Sequence, residues 1–570
     1  ETERPNSLYD PSGSFQNINR RYDIVYGDVM LNFNYNIRRF DIAATLGWTG
    51  RYENMNNMRV STNGGLVTEN WFDLNASRYT ASSTLQRMEL LKTGYMGTLS
   101  LGWDNYLFLE LTGRQERSST LKDQSFFYPS ANLSFLFSNA FRMPAWWNHG
   151  KLRLSYGVVG NAPETYAANI IYEQGSDNGF TWNYVPSSWG NANIRPEKKY
   201  EYEIGFESKF LNNRLGFDVS YYNNRVKDQI LSTPQPSTSG VKYVLMNVGE
   251  VANEGWDISV SATPVLTKNF RWDLTANYGI YRNKVVKLAD GVPYLEISNI
   301  GGGGAKIQAV EGRPMGDIYV QVPQMNENGE YLVSDKGLYM NQTELQRVGN
   351  INPDGVGGLF SSFSYKNIFL DFSIDFRIGG DVINEMYQYS TASGLTPESL
   401  QFRDTEHGGL SYYYPGNNNA SGVPVQVDPS LGAGPNGETV YHDGVILPGV
   451  VASTGEKNTR IIPAGYYYNQ TYNWGTQPEQ LTYRHSVFDN SYVKLRELTI
   501  GYQFPEKLIS KLGMTRLSVS VFGRNLFYFY KALKNYDAES SVGTSWASQA
   551  VVGGSTTATR NFGVSLRASF

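Results

Sequence analysis

Glu201 and Glu203 in "EYEIGFE", and Asp371 and Asp375 in "FLDFSIDFRI", are the carboxylate pairs whose spacing could serve chemistry. Residues i and i+2 of a strand share one face about 6.6 Å apart, near enough for acid and base roles at a glycosidic bond. Polar residues alternate by default throughout this chain, however, so every such segment yields pairs of this kind and no catalytic residue is assigned. Metal chemistry has less support. Four His without a zinc-type spacing give no transition-metal site. "NINPDG" at 350–355 carries oxygen donors and a Gly turn but not the twelve-residue spacing and closing Glu of a calcium loop, and reads as a turn. "GGGGAK" at 301–306 lacks the final hydroxyl residue and the strand-to-helix setting of a phosphate loop, and reads as a flexible loop. No metal and no cofactor is expected in this chain.

The elements that must position these residues are more regular than the residues themselves. Leu370, Phe372, Ile374, Phe376 and Ile378 alternate with Asp371, Ser373, Asp375 and Arg377, the period of a strand with one apolar face. Tyr202, Ile204 and Phe206 alternate with Glu201, Glu203, Gly205 and Glu207 in the same way, and Leu215, Phe217, Val219 and Tyr221 with Gly216, Asp218 and Ser220. Fifteen such stretches are expected, near 29–37, 40–48, 93–103, 105–116, 128–137, 151–159, 199–210, 214–225, 254–263, 270–282, 359–366, 368–378, 491–503, 515–525 and 561–570. No long amphipathic helix interrupts them; short helices have room in the connections.

Composition narrows what covers the apolar faces. The chain holds 57 Gly, 41 Tyr, 28 Phe and 11 Trp among 570 residues, yet its mean hydropathy is only −0.41. A formal charge of −4 from well-mixed groups offers no field for nucleic acid. The lack of cysteine excludes disulfides, thiolate metal sites and cysteine catalysis, and leaves the compartment undecided. No apolar run reaches the roughly 18 residues of a membrane-spanning helix, and "ETERPNSLYD" is not a signal peptide. Strands of about ten residues can nevertheless cross a membrane as a closed barrel.

The connections favour that reading. Every second one is the shorter of its neighbourhood: Arg38–Arg39, Asp104, 138–150, "LNN" at 211–213, 264–269, Asn367 and 504–514 are short or moderate, whereas 49–92, 160–198, 226–253, 283–358, 379–490 and 526–560 are long, with a loop at 117–127 on their side. An antiparallel meander sends alternate connections to opposite ends, and outer-membrane barrels have short turns at one end and long loops at the other. A soluble sandwich would bury the Leu370 face against a second sheet and has no reason for this bias. The expected fold is therefore all-β, an antiparallel transmembrane β-barrel with lipid on its apolar stripe. Bacterial single-chain barrels have an even strand number. Fifteen strands thus suggest the C-terminal part of a larger barrel, with residues 1–28 an extracellular loop segment and 29–570 barrel.

Aromatic residues crowd the expected outer loops: Trp182, Tyr184 and Trp189; Tyr387 and Tyr389; Tyr412, Tyr413 and Tyr414; Tyr466, Tyr467 and Tyr468, with Tyr472 and Trp474; and Trp546. Flat rings with polar handles stack on sugars or hold peptide side chains in wet surroundings. Any ring taken singly is better read as packing loop on loop or docking a partner, whereas the set as a whole favours some ligand contact.

"GNAPETYAAN" at 160–169 followed by "NANIRPEKKYEYEIGFE" at 191–207, "GNINPDGVGGLFSSFSYKNIFLDFSIDFRIGGDVIN" at 349–384, "SYVKLRELTIGYQFPEKL" at 491–508, "SVSVFGRNLFYFYKALKNYDAES" at 518–540 and "RNFGVSLRASF" at the end occur in the order found in one family. Together they resemble the barrel region of SusC/RagA-type TonB-dependent outer-membrane transporters of Bacteroidetes. The resemblance implies a barrel of about 22 strands, of which about fifteen lie here, around a plug supplied with the remaining strands by another chain or segment. It also implies a SusD-like surface lipoprotein lid, coupling to TonB through the missing N-terminal portion, and import of oligosaccharides or peptides; aromatic richness tilts the choice toward oligosaccharide. Dimerisation and accessory lipoproteins are left open. Phe570 is implied in barrel closure and assembly. The alternative is a passive porin-like or ligand-receptor barrel.

Overall fold

A computed structural model describes residues 1–7, 12–122, 125–177, 180–236, 238, 240–300, 303–472, 483–554 and 558–570. Each of the fifteen expected stretches falls on a strand, overrunning it by two residues at most: β1 (Ser14–Ile37), β2 (Phe40–Leu66), β3 (Ser77–Trp103), β4 (Leu107–Ser118), β5 (Ser125–Phe135), β6 (Trp147–Asn161), β7 (Glu197–Phe210), β8 (Leu215–Lys227), β9 (Glu250–Leu266), β10 (Phe270–Lys287), β11 (Gly355–Tyr365), β12 (Ile368–Ile378), β13 (Tyr492–Gln503), β14 (Arg516–Lys531) and β15 (Asn561–Ser569). The chain divides into two compact units, Glu1–Glu207 with Tyr221–Ala252, and Ser208–Ser220 with Asn253–Phe570.

In the first unit β1 to β6 form an antiparallel meander whose register sorts side chains by polarity. Ile37, Phe40, Trp103, Leu107, Phe135 and Leu152 stand in one row across six strands, and Tyr35, Ile42, Leu101, Leu109, Leu133 and Leu154 in the next. One residue along, the row on the other face is Asn34, Ala43, Ser100, Glu110, Asn132 and Ser155. Because side chains alternate with period two, a slip of one residue would exchange the faces, so the apolar rows fix the register of the whole meander. The apolar rows are widely exposed, with Leu31 at 72% and Val29 at 65%.

The second unit repeats the arrangement. Trp272, Phe363, Leu370, Ile500, Val521 and Val564 form one apolar row, and Phe270, Tyr365, Ile368, Tyr502, Val519 and Leu566 another. Tight links occur in both units where the backbone enters the left-handed region, at Asp104 and Asn105 in the first and at Asn212, Asn213 and Lys366 in the second; Asn and Asp adopt it at little cost.

Two expectations about boundaries need correction. The first of these strands starts at Ser14 rather than 29 and a short strand at Thr2–Arg4 pairs antiparallel with it, both inside the segment read as loop; the link placed at 49–92 shrinks to 67–76 because β2 and β3 run on for 27 residues each. The polar residues in these extensions hide the strand period, but ladder bonding continues through Asn54, Asn56 and Asn57. The link at 136–146 also exceeds its neighbour at 119–124, against the short–long pattern, because it holds a helical turn at Phe137–Ala140.

The long connections of the second unit are folded. Tyr294–Ile300, Ala305–Val310, Asp317–Val320 and Gln346–Asn350 make a four-stranded sheet. Its Ile307, Ile318 and Val320 share a core with Ile351, Ile383, Tyr483, Ala547 and Val551, from three different connections. Two short helices, α1 (Glu385–Ala392) and α2 (Ala464–Tyr472), belong to the same body. Asn384 caps α1 by accepting a hydrogen bond from the Tyr387 N–H at 2.9 Å. No described helix is long and apolar enough to cross a membrane, which says nothing of strands.

Candidate functional site

The polar strand faces and the connections above them hold the groups that could meet a solute. In the first unit, Arg114 on β4 donates to Glu116 at 2.9 Å and to Thr49 on β2 at 3.1 Å, while the Tyr128 hydroxyl on β5 donates to Glu116 at 2.7 Å. Toward the short-link end of the same face lies a concavity of about 580 Å³ lined by Asn34, Asn36, Asp41, Glu110, Asn132 and Ser134 among others. Its amides and hydroxyls offer solutes hydrogen bonds of modest net strength, and Asp41 and Glu110 add carboxylates to the lining.

In the second unit the polar face carries an ionic cluster. Asp375 on β12 accepts from Arg496 on β13, and Arg496 also donates to Glu539 in the connection after β14 at 2.6 Å. Lys494, almost fully buried, adds a second cation to Glu539 and lies 4.7 Å from the Tyr528 ring centroid. Arg496 is the extra residue of a β-bulge, skipped in the pairing of β13 with both neighbours. A bulge re-aims a side chain, and here it brings a guanidinium to two carboxylates. Burial opposes ionisation of Glu539, but the hydrogen bonds from Arg496 and Lys494 outweigh it and hold its pKa down at about 2. The cluster fastens the 532–560 connection to the strand face.

Three of the four paired carboxylates are engaged in this way. Asp371 accepts from Ser362 at 2.6 Å, Asp375 is held by Arg496, and Glu201 pairs with Lys199 at 2.6 Å and accepts from Asn224 at 3.0 Å. "NINPDG" is a turn in which the Asn352 N–H donates to the Asn350 side chain at 2.8 Å. Gly301 and Gly302 lie outside the described residues; the end of that run starts a strand, and Lys306 pairs with Glu296 at 2.7 Å.

The expected aromatic set divides by burial. Tyr412 is 1% exposed, stacks on Tyr441 at 5.5 Å and donates to Asp443. Tyr468 is buried and donates to the Glu398 carbonyl at 2.8 Å; Tyr472 is buried beside it. Tyr387 packs edge-on against Tyr472 and Phe488, Tyr467 against Phe402, and Tyr414 against Tyr412. Burial pushes the Tyr467 hydroxyl up to about 12. These rings join the loop body together, and Tyr413 lies half-buried among them. Trp182, Tyr184, Tyr389, Tyr466 and Trp546 keep open surface. Trp182 and Tyr184 stand on a hairpin of Glu173–Asp177 with Phe180–Tyr184, where Tyr184 donates to Glu173 at 2.7 Å; Trp189 is edge-on to Tyr172. Trp474 lies outside the described residues. Phe570 follows β15 and is 82% exposed.

Residue reasoning missed Arg496, Lys494, Glu539 and the buried Asp317. The first had a signal in "YVKLRELTIGY": apolar positions are odd at Val493 and Leu495 and even at Leu498, Ile500 and Tyr502, and that switch of parity marks the bulge.

Residues 1–317 match the family described as TonB dependent receptor-like, beta-barrel. The chain is 22% identical over 494 residues to TonB-dependent receptor P3 of Formosa agariphila, covering 79% of this chain and 42% of that protein. It is 27% identical over 256 residues to TonB-dependent receptor SusC of Bacteroides thetaiotaomicron, covering 39% and 24%. Among solved structures, the RagAB peptide importer in its open-open state aligns with a TM-score of 0.71 at 18% identity, over 100% of this chain and 57% of that one. The chain thus spans less than two thirds of the length of these relatives.

Proposed function

Since the chain belongs to the TonB-dependent receptor-like β-barrel family, a family of outer-membrane transport proteins, we propose that it forms wall and outer loops of a SusC/RagA-type importer of oligosaccharides or peptides. The observation that carries this reading is the register of β1–β6, which assembles continuous apolar rows on one face and mostly polar rows on the other. Lipid suits the first and a hydrated conduit the second. On this reading the folded connections of the second unit dock a SusD-like surface lipoprotein, and TonB provides the energy. Phe570, at the end of β15, serves closure and assembly of the barrel. Trp182, Tyr184, Tyr389, Tyr466 and Trp546 are the rings placed to stack on substrate; the buried tyrosines hold the loops.

The test is uptake of labelled oligosaccharide and peptide pools by cells carrying the intact receptor. Uptake that stops on deletion of TonB or collapse of the proton gradient supports the reading; flux that persists in both assigns a passive porin instead. Replacing Trp182 and Tyr184 by Ala is expected to weaken capture without changing stability. Tyr412→Ala is expected to destabilise the loop body by about 3 kcal/mol.

A further inference from the structure

The outward face of the first unit changes character near its long-loop end. On β7 the apolar face reads Phe206, Ile204, Tyr202 and Tyr200 toward the preceding long connection; on β8 it reads Tyr221, then Asn223, Arg225 and Lys227. Parity confirms the side: Asn224 points to the other face, where it donates to Glu201. Tyr156, at the outer end of the Leu152–Leu154–Tyr156 row of β6, completes the group. Tyr156, Tyr200, Tyr202, Asn223, Arg225 and Lys227 enclose a hollow of about 360 Å³. Arg225 donates to Glu250 at 3.1 Å, which orients the guanidinium while leaving other N–H donors on its planar fork. The Lys227 ammonium stands 5.9 Å from the Tyr200 centroid.

We propose that this hollow is a binding site for the phosphate-bearing headgroup of an outer-leaflet lipid. Three observations converge on it. The hollow continues the face that carries the apolar rows, so its lower edge meets acyl chains. Tyrosines follow, as expected where an apolar ring body and a polar tip meet the interface. Two cations follow them along β8, Arg225 shared with Glu250 and Lys227 beside Tyr200, and supply charge complementarity to an anion. A solute crossing through the polar face would never touch these residues. The site therefore anchors the barrel in its leaflet instead of serving transport.

The experiment compares three full-length receptors extracted from the outer membrane in mild detergent: unaltered, Arg225→Gln with Lys227→Gln, and a control with Lys507→Gln and Lys511→Gln beyond the other strand end. Lipid retained by each is extracted and quantified by mass spectrometry. The rim variant is expected to retain on the order of tenfold less phosphorylated lipid, with the control unchanged. Added monophosphorylated lipid A is expected to raise the thermal stability of the unaltered receptor, and its dephosphorylated counterpart is not. That arm needs no variant, so it decides the matter even if the rim variant misfolds. Equal retention in all three receptors overturns the proposal. So does an equal response to dephosphorylated lipid, displacement by inorganic phosphate alone, or a co-purifying protein seated on the rim in place of lipid.

Discussion

Asp317 is fully buried between Arg313 at 2.7 Å and Arg347 at 2.9 Å, with the Asn350 amide also donating at 2.9 Å. A buried charge held by two cations is costly to break from one side, because the remaining charges lose their partner. Asp317→Ala is expected to destabilise the connection body by about 3 kcal/mol, read as faster hydrogen exchange in 294–320 and 346–351 with β1–β6 unchanged. Glu539 gives a pH prediction. Its pKa is lowered in the folded state, so the stabilisation it contributes is complete above its ordinary value of 4.5 and is lost as pH falls toward about 2. Proteolysis within 532–560 is expected to speed up across that window, and Glu539→Gln to show the fast rate already at neutral pH. A fast rate absent from the variant would remove the cluster from any role in fastening the connection. At this scale the sequence announced the bulge that aims Arg496 but not its partner, because Glu539 lies 43 residues away with no local pattern linking the two.

At the scale of elements, alternation identified every long strand, since each has one face whose apolar side chains recur with period two. Strand length was not legible: the outer arms of β1, β2 and β3 carry Asn, Arg and Ser on both faces, and their ladder is maintained by backbone bonding rather than by a buried face. Nor was the folding of the connections. The core of Ile307, Ile318, Ile383 and Val551 is built from short apolar runs far apart in the chain, none of them periodic enough to show an element alone. The register makes a sharp prediction for adjacent residues. Leu111 lies in an apolar row and Glu110 in a polar one. Leu111→Arg is expected to cost about 2–4 kcal/mol by placing a charge in lipid, and Glu110→Arg much less, measured as the fraction of receptor migrating in its folded form on unheated gels. Equal losses from both would mean that the two faces meet similar surroundings.

For the whole molecule, the exposure of the apolar rows is the deciding observation. A soluble fold that left Leu31, Phe562, Val564 and Leu566 at 69–73% exposure would associate through them. In the outer membrane the same side chains face acyl chains and need no protein cover. Because lipid replaces a second protein layer, the strands keep a modest mean hydropathy: only one face in two has to be apolar. The intact receptor is therefore expected to stay monodisperse in detergent micelles and to aggregate when detergent is withdrawn, with its strand signal in circular dichroism retained on transfer into lipid nanodiscs. A monodisperse, folded receptor in detergent-free buffer would show that protein, not lipid, covers the apolar rows, and the division of the strands into a membrane face and a conduit face would fall with it.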